Sequence, residues 1–325
     1  VAYAFDPELA ASVAGLPVTD LADLAAARAH DAPTTAIDLP DQYRGAVTAS
    51  TQTAPAVRGG PPAVLSVYRP SAPGPRRSAV LAIHGGGFVV GAHRGYAREC
   101  CRLVTELGAV VVAVHYRLAP EHPFPAAFLD CLAALSWMHD HADGLGIDPG
   151  RVAVVGDSAG GALAAGLCLY ARDHQGPPIS FQFLGIPVLD DRLRTASMTR
   201  FVDTPLWHRG AAELSWRYYL AGGTKLGDAD GLRYAAPARA EDLAGLPPAA
   251  IAICEFDPLR DEGLIYGQRL LAAGVSTEIH HYAGTFHGST LLWRAAVSKR
   301  MWRDRIEALT RALRAAPVRT PPRGA

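Results

Sequence analysis

The hydrophobic pattern alternates between short, nearly uninterrupted apolar runs and longer stretches compatible with helix. Seven runs read as strands: Val64 to Tyr68, Ala79 to His84, Val110 to His115, Val152 to Gly156, Phe181 to Ile186, Ala249 to Glu255 and Thr277 to His281. The run Val110-Val111-Val112-Ala113-Val114 has no polar alternate positions, the pattern of a strand covered on both faces. Between the runs, Phe128 to His141, Ala159 to Asp173, Gly263 to Ala273 and Lys299 to Ala315 have the length and the Ala, Leu and Arg content of helices. This alternation predicts an α/β protein with a mainly parallel central sheet flanked by helices. Room remains for an eighth strand between residues 45 and 60, which the pattern does not place.

Two regions break the alternation. Residues 1–50 are Ala-rich and partly helical in character, and residues 191–237 carry Trp207, Trp216, Tyr218 and Tyr219 without a clear strand. An aromatic-rich insertion between core strands is a natural lid over a site built on strand ends, or else the closure of a secondary core. The expected organisation is a helical cap from 1–50 and 191–237, a core from 51–190 and 238–316, and a Pro- and Arg-rich tail over 317–325. A length of 325 residues suits one large domain with such a subdomain.

Charge removes several classes of function. Lys and Arg total 31 against 31 Asp and Glu, so no basic field exists to draw nucleic acid or an anionic membrane surface. The composition, 49% hydrophobic and 19% charged, is that of a globular chain rather than a disordered one. The cysteines, Cys100, Cys101, Cys131, Cys168 and Cys254, are odd in number and lack C-x-x-C spacing, which argues for buried thiols over disulfides or zinc. No apolar run spans a membrane and the first basic residue is Arg28, so the chain reads as cytoplasmic. Its start at Val1 leaves a removed leader open.

The chemistry concentrates at strand ends. Val152 to Gly156 runs into Asp157-Ser158-Ala159-Gly160-Gly161 and then an Ala- and Leu-rich stretch, so G-x-S-x-G sits between strand and helix. Such a turn needs small flanking residues, projects the Ser158 hydroxyl from the sheet edge and aims a helix N-terminus at it. Upstream, a strand ends in His84-Gly85-Gly86-Gly87-Phe88. Glycines there let main-chain N–H groups approach a ligand oxygen, and the expected oxyanion donors are the amides of Gly86, Gly87 and Ala159. His84 reads as a brace of that turn. A base and an acid should follow the nucleophile, each just past a strand, and His287 and Asp257 meet that demand. Glu255 and Asp261 compete as the acid, but one lies inside the strand and the other in the next helical turn.

Two clusters resemble metal sites and are read otherwise. His139-Asp140-His141-Ala142-Asp143 falls on an expected helix, where positions two apart point about 200° apart and cannot converge. Asp228 and Asp230 form too short a fragment of a calcium loop and read as a turn. No metal and no organic cofactor is expected.

The His-Gly-Gly-Gly loop at His84 to Gly87 and the Gly-Asp-Ser-Ala-Gly elbow at Gly156 to Gly160 together resemble the hormone-sensitive-lipase-like family of α/β-hydrolase esterases. Tyr116 to Ala127 and Asp257 to Gly263 are similar to two further family segments, so the resemblance extends from about residue 64 onward. It implies an α/β-hydrolase fold with a helical cap, and a serine carboxylesterase using Ser158, His287 and Asp257. The insertion, through Pro187, Asp190 to Arg192 and Phe201 to His208, is similar to that of acetyl-ester hydrolases in the family, which implies a short acyl pocket. Phe88, Phe201, Trp207 and Tyr218 are the expected substrate-lining residues. Acyl transfer, lactone or amide hydrolysis would use the same triad, and a non-catalytic binding protein on this fold would typically lack one member. The expected partner is a small-molecule ester, with a homodimer left open. One departure stands at the base, where His287-Gly288 is followed by Ser289 rather than the Phe of many relatives.

Overall fold

β-Branched, uncharged segments dominate the centre of the chain, and they pair into one sheet. A computed structural model describes residues 3–16, 20–29, 31, 37–92, 95–223 and 231–314. Among these the strands are β1 (Val47–Ala54), β2 (Ala63–Pro70), β3 (Arg77–Ile83), β4 (Val110–His115), β5 (Ile147–Asp157), β6 (Phe181–Gly185), β7 (Ala249–Phe256) and β8 (Thr277–Phe286). Their order is β1-β2-β4-β3-β5-β6-β7-β8, with β2 antiparallel to both β1 and β4 and all other pairs parallel. The helices are α1 (Pro7–Val13), α2 (Leu24–Ala27), α3 (Tyr96–Leu107), α4 (Ala126–Asp140), α5 (Ala142–Leu145), α6 (Ala159–Asp173), α7 (Ala196–Arg200), α8 (Arg209–Tyr219), α9 (Leu232–Ala235), α10 (Arg260–Ala272) and α11 (Ala296–Arg314).

Alternate strand residues feed two cores. Val110, Val112 and Val114 face a cluster built with α4, α6 and α10, while Val111 and Ala113 face one built with α3 and α11. Burying such a Val side chain contributes about 1.5–3 kcal/mol, so both faces of β4 stabilise the sheet. The five cysteines are all buried and unpaired. No helix among the described residues is long and apolar enough to cross a membrane.

The order reverses at β3. The chain leaves β3 for β4 on one side and returns to β5 on the other, and a crevice opens at the carboxyl ends where the two connections diverge. Ile83 at the end of β3 pairs with Gly156 near the end of β5, which sets the loop after β3 beside the turn after β5.

The sequence pattern and the structure differ at the sheet edges. β1 occupies the interval the pattern left unassigned, because Thr48 to Thr53 on this edge strand are mostly exposed and polar and give no apolar signal. The sheet therefore begins at Val47, inside the stretch expected to belong to the cap. β8 continues to Phe286, beyond the expected end at His281, as Tyr282 and Gly284 to Phe286 turn buried. Asp228, Asp230 and the expected tail lie outside the described residues.

Candidate active site

β5 delivers Ser158 through a tight turn with a glycine two positions away on either side. Ser158 has φ 56° and ψ −117°, a strained conformation costing of order 1–3 kcal/mol. The surroundings hold it there. Its N–H donates to the Gly185 carbonyl at 2.7 Å, and its carbonyl accepts from the amides of Gly161 at 2.9 Å and Val188 at 3.1 Å. A Cβ on Gly156 would collide with the Gly160 carbonyl, and one on Gly160 with that of Ile83, so side chains are barred two positions away on either side. α6 starts at the next residue, and its first amides point at the turn.

The loop after β3 is held from four directions. The His84 ring stacks on Tyr116 at 4.1 Å, and the Tyr116 hydroxyl donates to the His84 carbonyl at 2.9 Å. Gly86 and Gly87 take φ of 113° and 57°, and the amides of Val89 and Val90 return to the Gly86 carbonyl. Ser215 of α8 donates its hydroxyl to the Gly87 carbonyl at 2.7 Å. From the N-terminal segment, Arg28 donates to the carbonyls of Val89 and Ala119, both at 2.8 Å, while its guanidinium pairs with Glu121. Asp31 accepts from the Gly91 amide at 3.0 Å. Among the described residues, the N–H groups of Gly86, Gly87 and Ala159 have no protein acceptor.

β7 and β8 bring in the remaining groups. Asp257 follows β7 directly, and His287 follows β8 directly. His287 Nε2 lies 3.0 Å from Ser158 Oγ, and His287 Nδ1 lies 2.8 Å from Asp257 Oδ2. The other Asp257 oxygen, Oδ1, accepts from the Leu259 amide at 2.9 Å. Asp257 is 1% exposed, so its carboxylate answers to these partners rather than to water. The competing acids are engaged elsewhere: Glu255 accepts from the Gly284 amide at 2.7 Å, and Asp261 accepts from the Ser197 amide at 2.7 Å. The structure thus brings together Ser158, His287, Asp257 and the three amides singled out from the sequence.

Of the four expected lining residues, Trp207 meets the site. Its ring lies 5.6 Å from that of His287, and a Cβ on Gly87 would come within 2.6 Å of the Trp207 ring and 3.1 Å of Ser215 Oγ. Phe88 and Phe201 are corrections. Phe88 is fully buried and stacks on Tyr219 at 3.8 Å, so it anchors the glycine loop instead of facing a ligand. Phe201 is equally buried, its ring between Tyr3 and Phe256. Tyr218 is half-buried beside the Arg217 guanidinium, and its neighbour Tyr219 makes the contact with Phe88. Helix geometry explains the exchange, since consecutive residues point about 100° apart.

Sequence reasoning missed the supporting groups. Arg28, Ser215 and Arg305 reach the site across long stretches of chain, and no local motif marks them. Arg305 of α11 pairs with Asp157, the residue preceding Ser158, and its guanidinium lies 4.6 Å from the centre of the Phe183 ring. Burial works against the Arg305 charge, and the carboxylates of Asp157 and Glu99 more than offset it, so the guanidinium is held above its usual value. Glu262 is a further buried acidic group nearby. Burial pushes its carboxyl well above the usual range; its hydrogen bond from the Leu189 amide opposes the shift, and the carboxylates of Asp190 and Asp257 add to it. The His139 cluster offers no ligand set: among the described residues, no group of three or more His, Cys, Asp or Glu side chains could hold a metal ion.

A strand-edge serine within reach of a histidine and a buried aspartate, on a sheet that reverses order at β3, defines a hydrolase-type site. The chain belongs to the alpha/beta hydrolase fold family, whose model matches residues 80–291. It is similar to the esterase LipI of Mycobacterium tuberculosis, with 45% identity over 64% of this chain and 64% of that protein. The ethyl acetate hydrolase of Pseudomonas putida is 36% identical over 71% of this chain and 72% of its own. Among solved structures, a bacterial heroin esterase superposes with a TM-score of 0.87 at 47% identity, covering 96% of this chain and 99% of that one. The chain therefore spans just under two thirds of LipI and nearly all of the heroin esterase.

Proposed function

We propose that this protein is a serine carboxylesterase acting on short-chain, acetyl-type esters, with Ser158 as nucleophile, His287 as general base and Asp257 as its orienting acid. The observation that carries this reading is the continuous chain from Asp257 Oδ2 through His287 to Ser158 Oγ, beside three amides without acceptors. Ser158 Oγ attacks the ester carbonyl as its proton passes to His287 Nε2. The new Oγ–C bond leaves the charge on the carbonyl oxygen, which the amides of Gly86, Gly87 and Ala159 receive. Asp257 holds the imidazole in the tautomer that accepts at Nε2 and stabilises the cation that forms. Collapse breaks the bond to the alcohol oxygen, which takes the proton from Nε2. Water activated by the same nitrogen then cleaves the acyl-enzyme.

The short-chain preference rests on the space beside Gly87. Trp207 and Ser215 close in there, and an acyl group directed to that side would meet the indole ring. The names of the ethyl acetate hydrolase and the heroin esterase, both acetyl-ester chemistries, support the same reading. α7, α8 and α9 with the N-terminal segment act as the cap: α8 bonds the glycine loop through Ser215, and Phe5 packs its ring 5.2 Å from Phe286, next to His287.

The test compares p-nitrophenyl acetate, butyrate and decanoate with the native protein and with Ser158→Ala. Acetate turnover that falls steeply toward decanoate and drops by several orders of magnitude in the variant is expected. A variant with near-native turnover would refute the mechanism, and turnover rising with chain length would refute the short pocket.

A further inference from the structure

We propose that a second cavity, between α3, α11 and the segment following His287, binds a small monoanion of the carboxylate class with an apolar or aromatic body. Its volume is about 720 Å³, within the range that accommodates a small ligand. Asp157 and Gly288 line it, each one residue from a triad member, while no triad side chain does. It is thus separate from the ester site yet touches the backbone that carries Ser158 and His287.

Charge defines the ligand. Among the described residues, the cations facing the cavity are Arg98 and Arg102 from α3 and Lys299 and Arg305 from α11, and the facing carboxylates are Glu99 and Asp157. Arg102 is engaged by Glu106 at 3.0 Å and Arg305 by Asp157. Arg98 and Lys299 have no carboxylate partner among the described residues. Two cations on facing helices without a carboxylate partner among the described residues call for a ligand that carries an anion.

The apolar half is equally specific. Leu291 and Trp293 are each 50% exposed, among the few large apolar side chains left in water, and both line this cavity. The Arg98 guanidinium lies 5.4 Å from the centre of the Trp293 ring, so cationic and apolar surfaces adjoin. A carboxylate would take Lys299 and Arg98, and its body would cover Leu291, Trp293 and the buried Met301 beyond them. That occupant removes apolar surface from water and pairs both cations in one step.

The test is titration calorimetry of the full chain with 4-phenylbutyrate and with its neutral isostere 4-phenylbutanamide. The acid is expected to bind at least about tenfold tighter than the amide, and Arg98→Gln/Lys299→Gln to erase that preference. Lys299→Glu, a reversal at an exposed position, serves as a second variant and should weaken the acid without changing the thermal melt. Equal affinity for acid and amide, absence of binding, or a preference that survives both variants would overturn the proposal. Binding read this way needs no turnover, so it stands or falls apart from the esterase mechanism.

Discussion

Replacing Asp257 with Asn probes the candidate triad at one atom. Asp257 Oδ1 accepts from the Leu259 amide and Oδ2 faces His287 Nδ1. In Asp257→Asn the side-chain oxygen must stay on the Leu259 N–H, which forces the NH₂ toward His287. The imidazole then accepts at Nδ1 and carries its proton on Nε2, so it donates to Ser158 when it should accept. The flipped amide restores the working tautomer only by setting two donors against each other at Leu259, at a cost of about 1–3 kcal/mol. Even then a neutral oxygen replaces a carboxylate opposite the forming imidazolium, a further loss of about 1–2 kcal/mol. Together these give about 2–5 kcal/mol, or roughly 30-fold to 5,000-fold in kcat. The same exchange in the chymotrypsin-type triad costs about 10⁴-fold. KM should hardly move, because Asp257 is buried away from substrate. The assay is p-nitrophenyl acetate hydrolysis beside a thermal melt. A kcat within tenfold of native, with an unaltered melt, would refute the tautomer argument.

Three further outcomes are expected. Trp207→Ala should raise the ratio of butyrate to acetate kcat/KM by about tenfold or more as the acyl side opens, and lower stability by about 3–5 kcal/mol; an unchanged ratio would remove Trp207 from the pocket. Arg305→Met removes one partner of the Asp157 carboxylate beside Ser158 and should destabilise the fold by about 2–3 kcal/mol in denaturant unfolding, less than a fully buried pair because the Asp157 side chain is 28% exposed. For Glu262 the folded pKa is raised above the ordinary value of 4.5. The unfolded chain therefore releases this proton first, and stability falls as pH rises above about 4.5 toward the folded pKa. Glu262→Gln keeps an acceptor for the Leu189 amide and removes the titration, so its stability advantage over native should widen from pH 5 to pH 9; a constant difference in melts across that range would count against the buried neutral carboxyl.

Legibility in the sequence followed burial and locality. β4 and the Val152 to Gly156 part of β5 were readable because strands covered on both faces must be continuously apolar, whereas β1, polar along most of its length on the sheet edge, and Asp148 to Arg151 near the start of β5 carry no such mark. Ser158, Asp257 and His287 were readable because each sits one residue past a strand, where the topology puts reactive groups. Gly86 and Gly87 stood out as part of a glycine run at a strand end, and a Cβ would clash with the Val90 carbonyl at Gly86 and with the Trp207 ring at Gly87. The supports were silent. Arg28 is 61 residues from Val89, and Ser215 is 128 from Gly87; such partnerships exist only once the chain is folded. Aromatic content located the lining region but not which ring faces the site, since one step along α8 separates Tyr218 from Tyr219.

The five cysteines give this fold an internal tamper seal. Burial raises every thiol, Cys101 to about 11 and Cys254 to about 12, so near neutral pH none presents the thiolate that an alkylating reagent needs. Labelling by iodoacetamide thus becomes a clock for opening of the cores, read as added mass. The two cores keep separate time, because Cys131 and Cys168 report the α4 and α6 side while Cys100, Cys101 and Cys254 report the α3 and α11 side.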